Sequence, residues 1–342
     1  MGRVVYMDGK FIPEAEAKVS IYSLDVMQSA AAFEMTRSFN GIHFKLREHL
    51  ARLVQSCELL SISYQDIPNR GTLESIIDEV TRRNDHGPGE EHRLLIVVSP
   101  GCAPMYAELE GVIPHPFVYI ADFPLRYTVA GFGKYFTEGV HCVTSKIQQV
   151  PDDCIPSQAK HRSRLHFHLA QQQAPAGMWP ILLDELGHVC EAPGANLIGV
   201  NATGDFFIVA SNCLRGISMQ TVLGLWSERH VQDIVGWPLR RYSELFLTGT
   251  PFCLLPIVSL DGQPIGDGKI GPVFKQTLAK WSSLVGVDIQ QQICDWDEYG
   301  PGPRDSAQHA RWQSDKEFQR GDLWTPAQQR ESDAQRTRPT QH

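Results

Sequence analysis

Four short segments of this 342-residue chain contain groups that could act together on a phosphorylated aldehyde. In chain order they are residues 159–162, with a lysine, 191–196, with a glutamate, 214–218 and 248–250. An unprotonated lysine amine can bond to an aldehyde carbon, and a carboxylate can keep a pyridine nitrogen protonated. Small and hydroxylated residues on turns can receive a phosphate. Together the segments supply the groups that a pyridoxal phosphate site needs.

The order and spacing of these segments resemble the class IV aminotransferases, the fold-type IV family of pyridoxal phosphate enzymes. That family includes branched-chain and D-amino acid aminotransferases, (R)-selective amine transaminases and aminodeoxychorismate lyase. The resemblance covers about residues 2–292 and implies an α+β, two-domain, fold-type IV architecture with pyridoxal 5′-phosphate as cofactor. We predict a small N-terminal α/β domain at 1–125, a larger cofactor-binding domain at 126–295, and a polar, extended or disordered tail at 296–342.

Lys160 is the predicted catalytic lysine. The segment 155–160, followed by a predicted helix, resembles the family segment that carries the Schiff-base lysine. The neighbouring cations Arg162 and Arg164 would lower its pKa and leave a free amine to move the proton. The alternative for any lone lysine is a solvated side chain in a basic loop.

Glu191 is the predicted partner of the pyridine nitrogen, and an acidic turn residue is its alternative interpretation. Holding that nitrogen protonated makes the ring an electron acceptor. Asn196, five residues further on, matches an asparagine of the family. By the same resemblance Leu214 packs against the cofactor ring, although a core leucine would look identical.

Three separate elements are predicted to bind the phosphate. The amides of Ile217 and Ser218 precede a predicted helix, where backbone donors and the helix dipole favour an anion. The hydroxyl of Thr250 can donate from a second turn. Arg52 matches the phosphate arginine of the family, and without the resemblance it would be interpreted as an exposed helical charge.

The predicted substrate-pocket residues are Gln28, Phe33 and Leu165. Gln28 stands where branched-chain enzymes tend to carry tyrosine, and Phe33 where D-amino acid enzymes carry one. Leu165, five residues after Lys160, resembles D-amino acid enzymes and the lyase more than the tyrosine of branched-chain enzymes. We therefore expect an apolar pocket.

The resemblance implies ping-pong transfer of an amino group from an apolar amino acid or amine to a keto acid or ketone, with D or (R) donors slightly favoured. An L-branched-chain aminotransferase, an aminodeoxychorismate-type lyase and a non-catalytic relative are the alternatives. Family members are usually homodimers with both subunits lining the pocket, so a homodimer is expected.

Composition narrows the range of further partners. The net charge of −8 without a Lys- or Arg-rich block argues against nucleic acid or an anionic membrane. The eight scattered cysteines favour reduced thiols, and no metal site is predicted. The apolar start of the chain is too short for a secretory segment, so a cytoplasmic protein is expected.

Hydrophobic periodicity and turn residues predict the elements that position these groups. Asp8-Gly9 and Asn40-Gly41 are predicted hairpin turns, and Thr72 is a predicted helix cap. Helices are predicted at 46–60, 72–83, 164–174, 219–229 and 273–284. Strands are predicted at 4–7, 10–12, 33–39, 42–46, 94–98, 117–122, 140–143, 181–184, 197–201, 206–209, 244–247 and 253–258.

Overall fold

The structure is a computed structural model that describes residues 2–65, 67–209, 211–234 and 239–298. Residues 299–342 of the predicted tail lie outside the described residues. Up to residue 124 the elements are β1 (Val4–Met7), β2 (Lys10–Pro13), α1 (Leu24–Met27), β3 (Ala32–Met35), β4 (Ser38–Phe39), β5 (Ile42–His43), α2 (Leu46–Leu59), α3 (Arg70–Arg83), β6 (His92–Ser99) and β7 (Phe117–Pro124).

The later elements begin with two short helices. They are α4 (Arg126–Val129), α5 (Tyr135–Glu138), β8 (Val140–Thr144), α6 (Leu165–Gln173), β9 (Met178–Ile181), β10 (Asn196–Val200), β11 (Phe206–Ile208), α7 (Ile217–Leu225), β12 (Val231–Asp233), β13 (Glu244–Gly249), β14 (Cys253–Leu260), β15 (Gln263–Pro264), α8 (Pro272–Val285) and α9 (Ile289–Glu298). Short 3-10 turns lie at Glu14–Glu16, Pro104–Tyr106 and Leu239–Arg241.

The first sheet is antiparallel, with the strand order β2-β1-β7-β6-β3. Its helix-facing side packs against α2 and α3, where Leu50 and Leu53 lie in one core cluster with Leu94 and Ile96. Successive side chains of a strand point to opposite faces. Phe33 therefore lies on the other face of β3, which is the face toward the site described below.

The second sheet has eight strands in the order β12-β11-β10-β13-β14-β8-β9, with β15 paired to β14. Parallel pairing joins β8 to β14 and β9, and β11 to β12, while the remaining pairs are antiparallel. Its core includes Met219 and Val222 of α7 and Phe274 of α8, whose ring lies 5.8 Å from Phe246. Helices mixed with largely antiparallel sheets agree with the predicted α+β class.

Both predicted hairpin turns are confirmed. Asp8 and Gly9 have φ values of 45° and 82°, and Asn40 and Gly41 have 52° and 75°. The predicted strand 33–39 was wrong as a single strand, because it divides into β3 and β4. Arg37 lies at the division, and its buried guanidinium donates to Pro251 O at 3.0 Å.

Several predicted bounds were wrong for identifiable reasons. Helix α3 begins at Arg70 rather than after Thr72, because the Asn69 side chain accepts from the backbone as the cap. Strand β9 ends at Ile181, since residues 182–184 instead pair locally with 188–191. The short strand β12 and the last helix α9 were not predicted.

All strands of the first sheet precede residue 125, and all strands of the second follow residue 139. The predicted boundary falls between them, and the division into domains at 1–125 and 126–295 stays a prediction. Trp296 on α9 is buried. Among the described helices, none has both the length and the apolar character that crossing a bilayer requires.

Candidate active site

The four segments predicted from the sequence meet at one cleft of about 710 Å³ that opens to solvent. The lining contains every predicted catalytic and cofactor-binding residue, namely Arg52, Lys160, Glu191, Asn196, Leu214, Ile217, Ser218 and Thr250.

The backbone of Lys160 is held from both sides. Its N–H donates to Ser56 Oγ on α2 at 3.0 Å, and its carbonyl accepts from Phe33 N–H on β3 at 2.9 Å. Its Nζ lies 4.9 Å from the centroid of the Phe33 ring. Burial lowers the pKa of Lys160 to about 7, and the charges of Arg52 and Arg164 act in the same direction. A large fraction of this amine is therefore unprotonated near neutral pH.

Glu191 is buried, and two neighbouring side-chain amides make long contacts with its carboxylate. Gln149 Nε2 lies 3.4 Å from Oε1, and Asn196 Nδ2 lies 3.5 Å from Oε2. Burial raises the pKa of Glu191 to about 7, although Arg164 and Lys160 oppose the shift. A cationic partner such as a protonated pyridine nitrogen would keep this carboxylate ionised.

Asn196 connects the carboxylate segment to the first phosphate turn. Its Nδ2 donates to Leu214 O at 2.7 Å, and its Oδ1 lies against Gly216. A Cβ at Gly216 would be only 2.0 Å from that oxygen. Position 216 therefore requires glycine for the turn to approach Asn196 this closely.

The two turns have the geometry predicted for an anion site. Gly216 is the N-terminal flanking residue of α7, so the amides of Ile217 and Ser218 stand at the start of a nine-residue helix. The second turn ends β13, and Gly249 there has no room for a Cβ, which would lie 2.6 Å from the Phe252 ring. Backbone donors can thus approach a phosphate from both turns.

Arg52 is fixed by a buried carboxylate that was not predicted from the sequence. Its Nε and Nη2 donate to Glu34 at 2.6 and 2.9 Å, and its Nη1 donates to Arg215 O at 3.2 Å. His49 Nδ1 also lies 2.7 Å from Glu34. Burial alone would raise the pKa of Glu34, but Arg52 and His49 outweigh it and lower the pKa. The Arg52 side chain is only 10% exposed, so it is not a solvated helical charge.

The signal for Glu34 was present in the sequence. It is a charged residue inside an apolar strand, and such residues are rarely buried without a partner. Because successive side chains of β3 point to opposite faces of the sheet, Glu34 faces α2 while Phe33 faces Lys160.

Only one of the three predicted substrate-pocket residues lies near Lys160. Phe33 is buried, with Arg162 and Arg164 Cζ atoms 5.2 and 5.8 Å from its ring centroid. Gln28 is exposed, and Leu165 is 68% exposed, and neither lines the cleft. Leu165 is the first residue of α6, whereas the preceding Arg164 lines the cleft.

The cleft is more cationic than the apolar pocket that the sequence predicted. Besides Arg52 and Lys160, its lining includes His161, Arg164 and His166. Burial lowers the pKa of both histidines to about 4, so they are neutral near pH 7. Arg164 remains as an additional charged group, with its Cζ 4.6 Å from the Phe167 ring centroid.

Five buried polar atoms of the lining have no hydrogen-bond partner in the part of the chain that the structure describes: Gln149 Oε1, Ser157 Oγ, His161 Nδ1, His166 Nε2 and Thr248 Oγ1. Buried polar atoms are ordinarily paired, so unpaired ones around a cleft indicate a polar ligand. The phosphate and the polar groups of the ring would supply such partners. The residues present therefore fit pyridoxal phosphate.

Comparison with known proteins agrees with this geometry. The family model described as amino-transferase class IV matches residues 31–260. This chain belongs to the class IV aminotransferases. Enzymes of this class are pyridoxal-phosphate-dependent transaminases, and the predicted family, enzyme class and cofactor are confirmed.

Two relatives differ in the substrate that their names give. A Methanocaldococcus jannaschii protein with the provisional name branched-chain-amino-acid aminotransferase is 28% identical over 292 residues, which cover 82% of this chain and 96% of that protein. The D-alanine aminotransferase of Bacillus licheniformis is 27% identical over 282 residues, which cover 79% and 93%.

The crystal structure of the T.th. branched-chain amino acid aminotransferase with pyridoxamine 5′-phosphate has a TM-score of 0.71 and 27% identity. The match covers 84% of this class IV chain and 95% of that one. The predicted fold-type IV architecture is confirmed.

The lowered pKa of Lys160 predicts how cofactor-free protein takes up pyridoxal phosphate. The rate, followed by absorbance of the bound cofactor, should rise as the pH passes through about 7 and then level off, because only the free amine reacts. Borohydride reduction and peptide mapping should find the cofactor on Lys160. Lys146→Ala, at an exposed lysine, should behave as the parent does. A rate that still climbs toward about pH 10, the ordinary lysine range, would contradict a buried amine.

A second prediction concerns Arg52. Arg52→Ala should weaken cofactor retention about tenfold or more, since a charge-assisted hydrogen bond contributes roughly 1.5–3 kcal/mol. Dialysis followed by absorbance measures the retention. Arg47→Ala, on the same helix and with a side chain 78% exposed, is the matched control. Equal retention in the two variants would show that Arg52 takes no part in binding the phosphate.

Proposed function

We propose that this class IV aminotransferase transfers an amino group between an apolar amino acid and a keto acid, in a ping-pong reaction that uses Lys160. When bound, pyridoxal phosphate supplies an electrophilic aldehyde and an electron-accepting ring. Lys160 Nζ first holds the cofactor and then moves a proton from the donor Cα. The observation that carries this proposal is the meeting of Lys160, Glu191 and both phosphate turns at one cleft.

The roles of the remaining site residues follow from their positions. Glu191 would hold the pyridine nitrogen protonated, with Asn196 orienting the carboxylate through its 3.5 Å contact. Arg52, the amides of Ile217 and Ser218, and the Thr250 hydroxyl would bind the phosphate. Leu214 would pack against the ring, since it lines the same cleft.

Arg164 supports a donor that carries a carboxylate. Its guanidinium carbon lies near the Phe33 and Phe167 rings, and the residue lines the cleft. The phosphate already has Arg52 and two turns, so Arg164 is available for the carboxylate of an amino acid. A plain amine would bring no carboxylate to pair with this guanidinium.

The stereochemical series is the finer part of the proposal. The D or (R) preference expected from the sequence depended in part on Gln28 and Leu165, which are exposed, while the D-alanine relative supports it. Most of the relatives carry branched-chain names, and one crystal structure of the T.th. enzyme is a complex with 4-methylvaleric acid. We therefore propose L-branched-chain amino acids as the leading donors and D-amino acids as the second candidate.

The structure supports the two remaining alternatives, a non-catalytic relative and a lyase, to different degrees. A non-catalytic relative would not need Lys160 and Glu191, and both residues line the cleft. A lyase of the aminodeoxychorismate type uses the same lysine to release pyruvate and needs polar groups for additional carboxylates. Arg164 provides one such group, so pyruvate release from aminodeoxychorismate belongs in the substrate test.

The test is a donor panel of L-leucine, D-alanine and (R)-1-phenylethylamine with 2-oxoglutarate, comparing the wild type with Arg164→Gln. We expect L-leucine to react fastest and its KM to rise about tenfold or more in the variant, by loss of a charge-assisted bond. The amine, which lacks a carboxylate, should be insensitive to the change.

Arg162→Gln is the matched control, because Arg162 is exposed and does not line the cleft. An unchanged KM for L-leucine in Arg164→Gln would exclude Arg164 as the carboxylate partner. Faster reaction of D-alanine would reverse the stereochemical assignment, and release of pyruvate from aminodeoxychorismate without an acceptor would favour the lyase.

We also propose that the active form is a homodimer. Exposed apolar side chains lie on two segments, residues 21–27 and 101–109, which are joined by a hydrogen bond from Leu24 N–H to Gly101 O at 2.9 Å: Ile21, Val26, Met27, Met105 and Leu109. Contiguous exposed apolar surface marks interaction sites. Sedimentation should find a dimer, weakened by Met105→Asp. Leu186→Asp, at an equally exposed leucine elsewhere, should leave it intact. A monomeric wild type would contradict the proposal.

A further inference from the structure

Two histidines and an aspartate meet at the first sheet, outside the cleft. His92 opens β6 and Asp122 lies on the adjacent strand β7, where it pairs with Leu94. His86 reaches them from the loop that precedes β6. His92 Nδ1 is 2.7 Å and His86 Nε2 is 3.3 Å from the same Asp122 Oδ2. All three potential ligand atoms lie within 4.8 Å of one another.

Asp122 is buried, the two histidines are partly buried, and the hydrogen bonding of the cluster is incomplete. The His86 and Asp122 side chains are 5% and 0% exposed. His86 Nε2 does not meet hydrogen-bond geometry despite its 3.3 Å distance, and Asp122 Oδ1 also lacks a partner among the residues described. Buried polar atoms without partners need an explanation, and a cation bound by His86 Nε2 would give that atom a partner.

The surrounding charge favours a cation. Besides Asp122, the carboxylates of Asp85 and Glu91 act on His92. His43 lies near, with its ring centroid 6.0 Å from that of His92. Both His43 nitrogens are 3.0 Å from threonine hydroxyls, so this third histidine is not a free ligand.

We propose that His86, His92 and Asp122 form a Zn²⁺ site that fastens the loop before β6 to strand β7. Two imidazoles and one carboxylate are a common three-residue ligand set for zinc, with a fourth position for water. Zinc–ligand distances of about 2.0–2.2 Å place tetrahedral ligand atoms about 3.3–3.5 Å apart. The His86–Asp122 pair already has that separation, whereas the 2.7 Å contact between His92 and Asp122 would have to lengthen.

The loop can make this adjustment. Gly87 and Gly89 have φ values of 93° and 79°, and a Cβ built on either would meet no atom within 4 Å. The segment between His86 and His92 is therefore loosely packed there. Zinc would displace the proton that now joins His92 to Asp122, and this proton would be released to solvent, because a metal-bound imidazole nitrogen must be deprotonated. The simpler alternative is a hydrogen-bonded His-Asp cluster without metal.

The test is equilibrium dialysis of the holoenzyme against Zn²⁺, with the metal quantified by mass spectrometry. The wild type should retain one Zn²⁺ per chain at this site, and His86→Gln and His92→Gln should each weaken binding at least tenfold. His188→Gln is the matched control, since it alters an exposed His-Asp pair with a 3.0 Å contact. All of these proteins should also carry Cys154→Ser, because Cys154 is the exposed cysteine among the described residues and its thiol could bind zinc.

Co²⁺ provides a measurement that needs no variant. Bound to the wild type, it should show the visible d–d absorption of four-coordinate cobalt. Zinc retention that is equal in the wild type and both histidine variants, or absent cobalt bands, would overturn the proposal. The absorbance of bound pyridoxal phosphate should be the same in all variants, which separates this result from any failure of the proposed transaminase function.

Discussion

The site depends on one buried ion pair, between Glu34 on β3 and Arg52 on α2. Glu34 is fully buried, and a buried carboxylate without a partner costs several kcal/mol, about 3–5 when a pair is broken. Arg52 satisfies both of its oxygens and still reaches Arg215 O beside the first phosphate turn. The same two elements hold the Lys160 backbone, through Ser56 and Phe33. The pair therefore connects the two elements that hold the lysine to the first phosphate turn.

Burial then adjusts the two reactive groups in opposite directions. It lowers the pKa of the Lys160 amine and raises that of the Glu191 carboxyl, and both reach about 7. A desolvated site disfavours charge of either sign, so each group changes its protonation state readily near neutral pH. Arg164 lowers the pKa of the lysine and opposes the rise of the glutamate pKa. This arginine thus links the electrostatics of the cofactor site to the proposed carboxylate site.

The start of α6 explains why the cleft is cationic. The helix begins at Leu165, and the direction of the chain there turns Leu165 to solvent and Arg164 into the cleft. A shift of one residue at a helix start changes which side chain faces a neighbouring pocket, because successive helical residues point about 100° apart. The proposed carboxylate partner is therefore Arg164, whereas the spacing from Lys160 pointed to Leu165.

The sequence by itself determined which residues form the site, because their types and order along the chain are local features. Those residues are Lys160, Glu191, Asn196, the two turns and Arg52, and all of them line the cleft. It also determined the glycine-bearing hairpin turns, because a positive φ is a local requirement. Only the tertiary structure decided what depends on contacts between distant residues. The Glu34 partner of Arg52, the exposure of Gln28 and Leu165, and the meeting of His86 with Asp122 are of this kind. A charged residue inside an apolar strand marks Glu34 as one that needs a partner, but the identity of that partner, like the other contacts, depends on residues far apart in sequence.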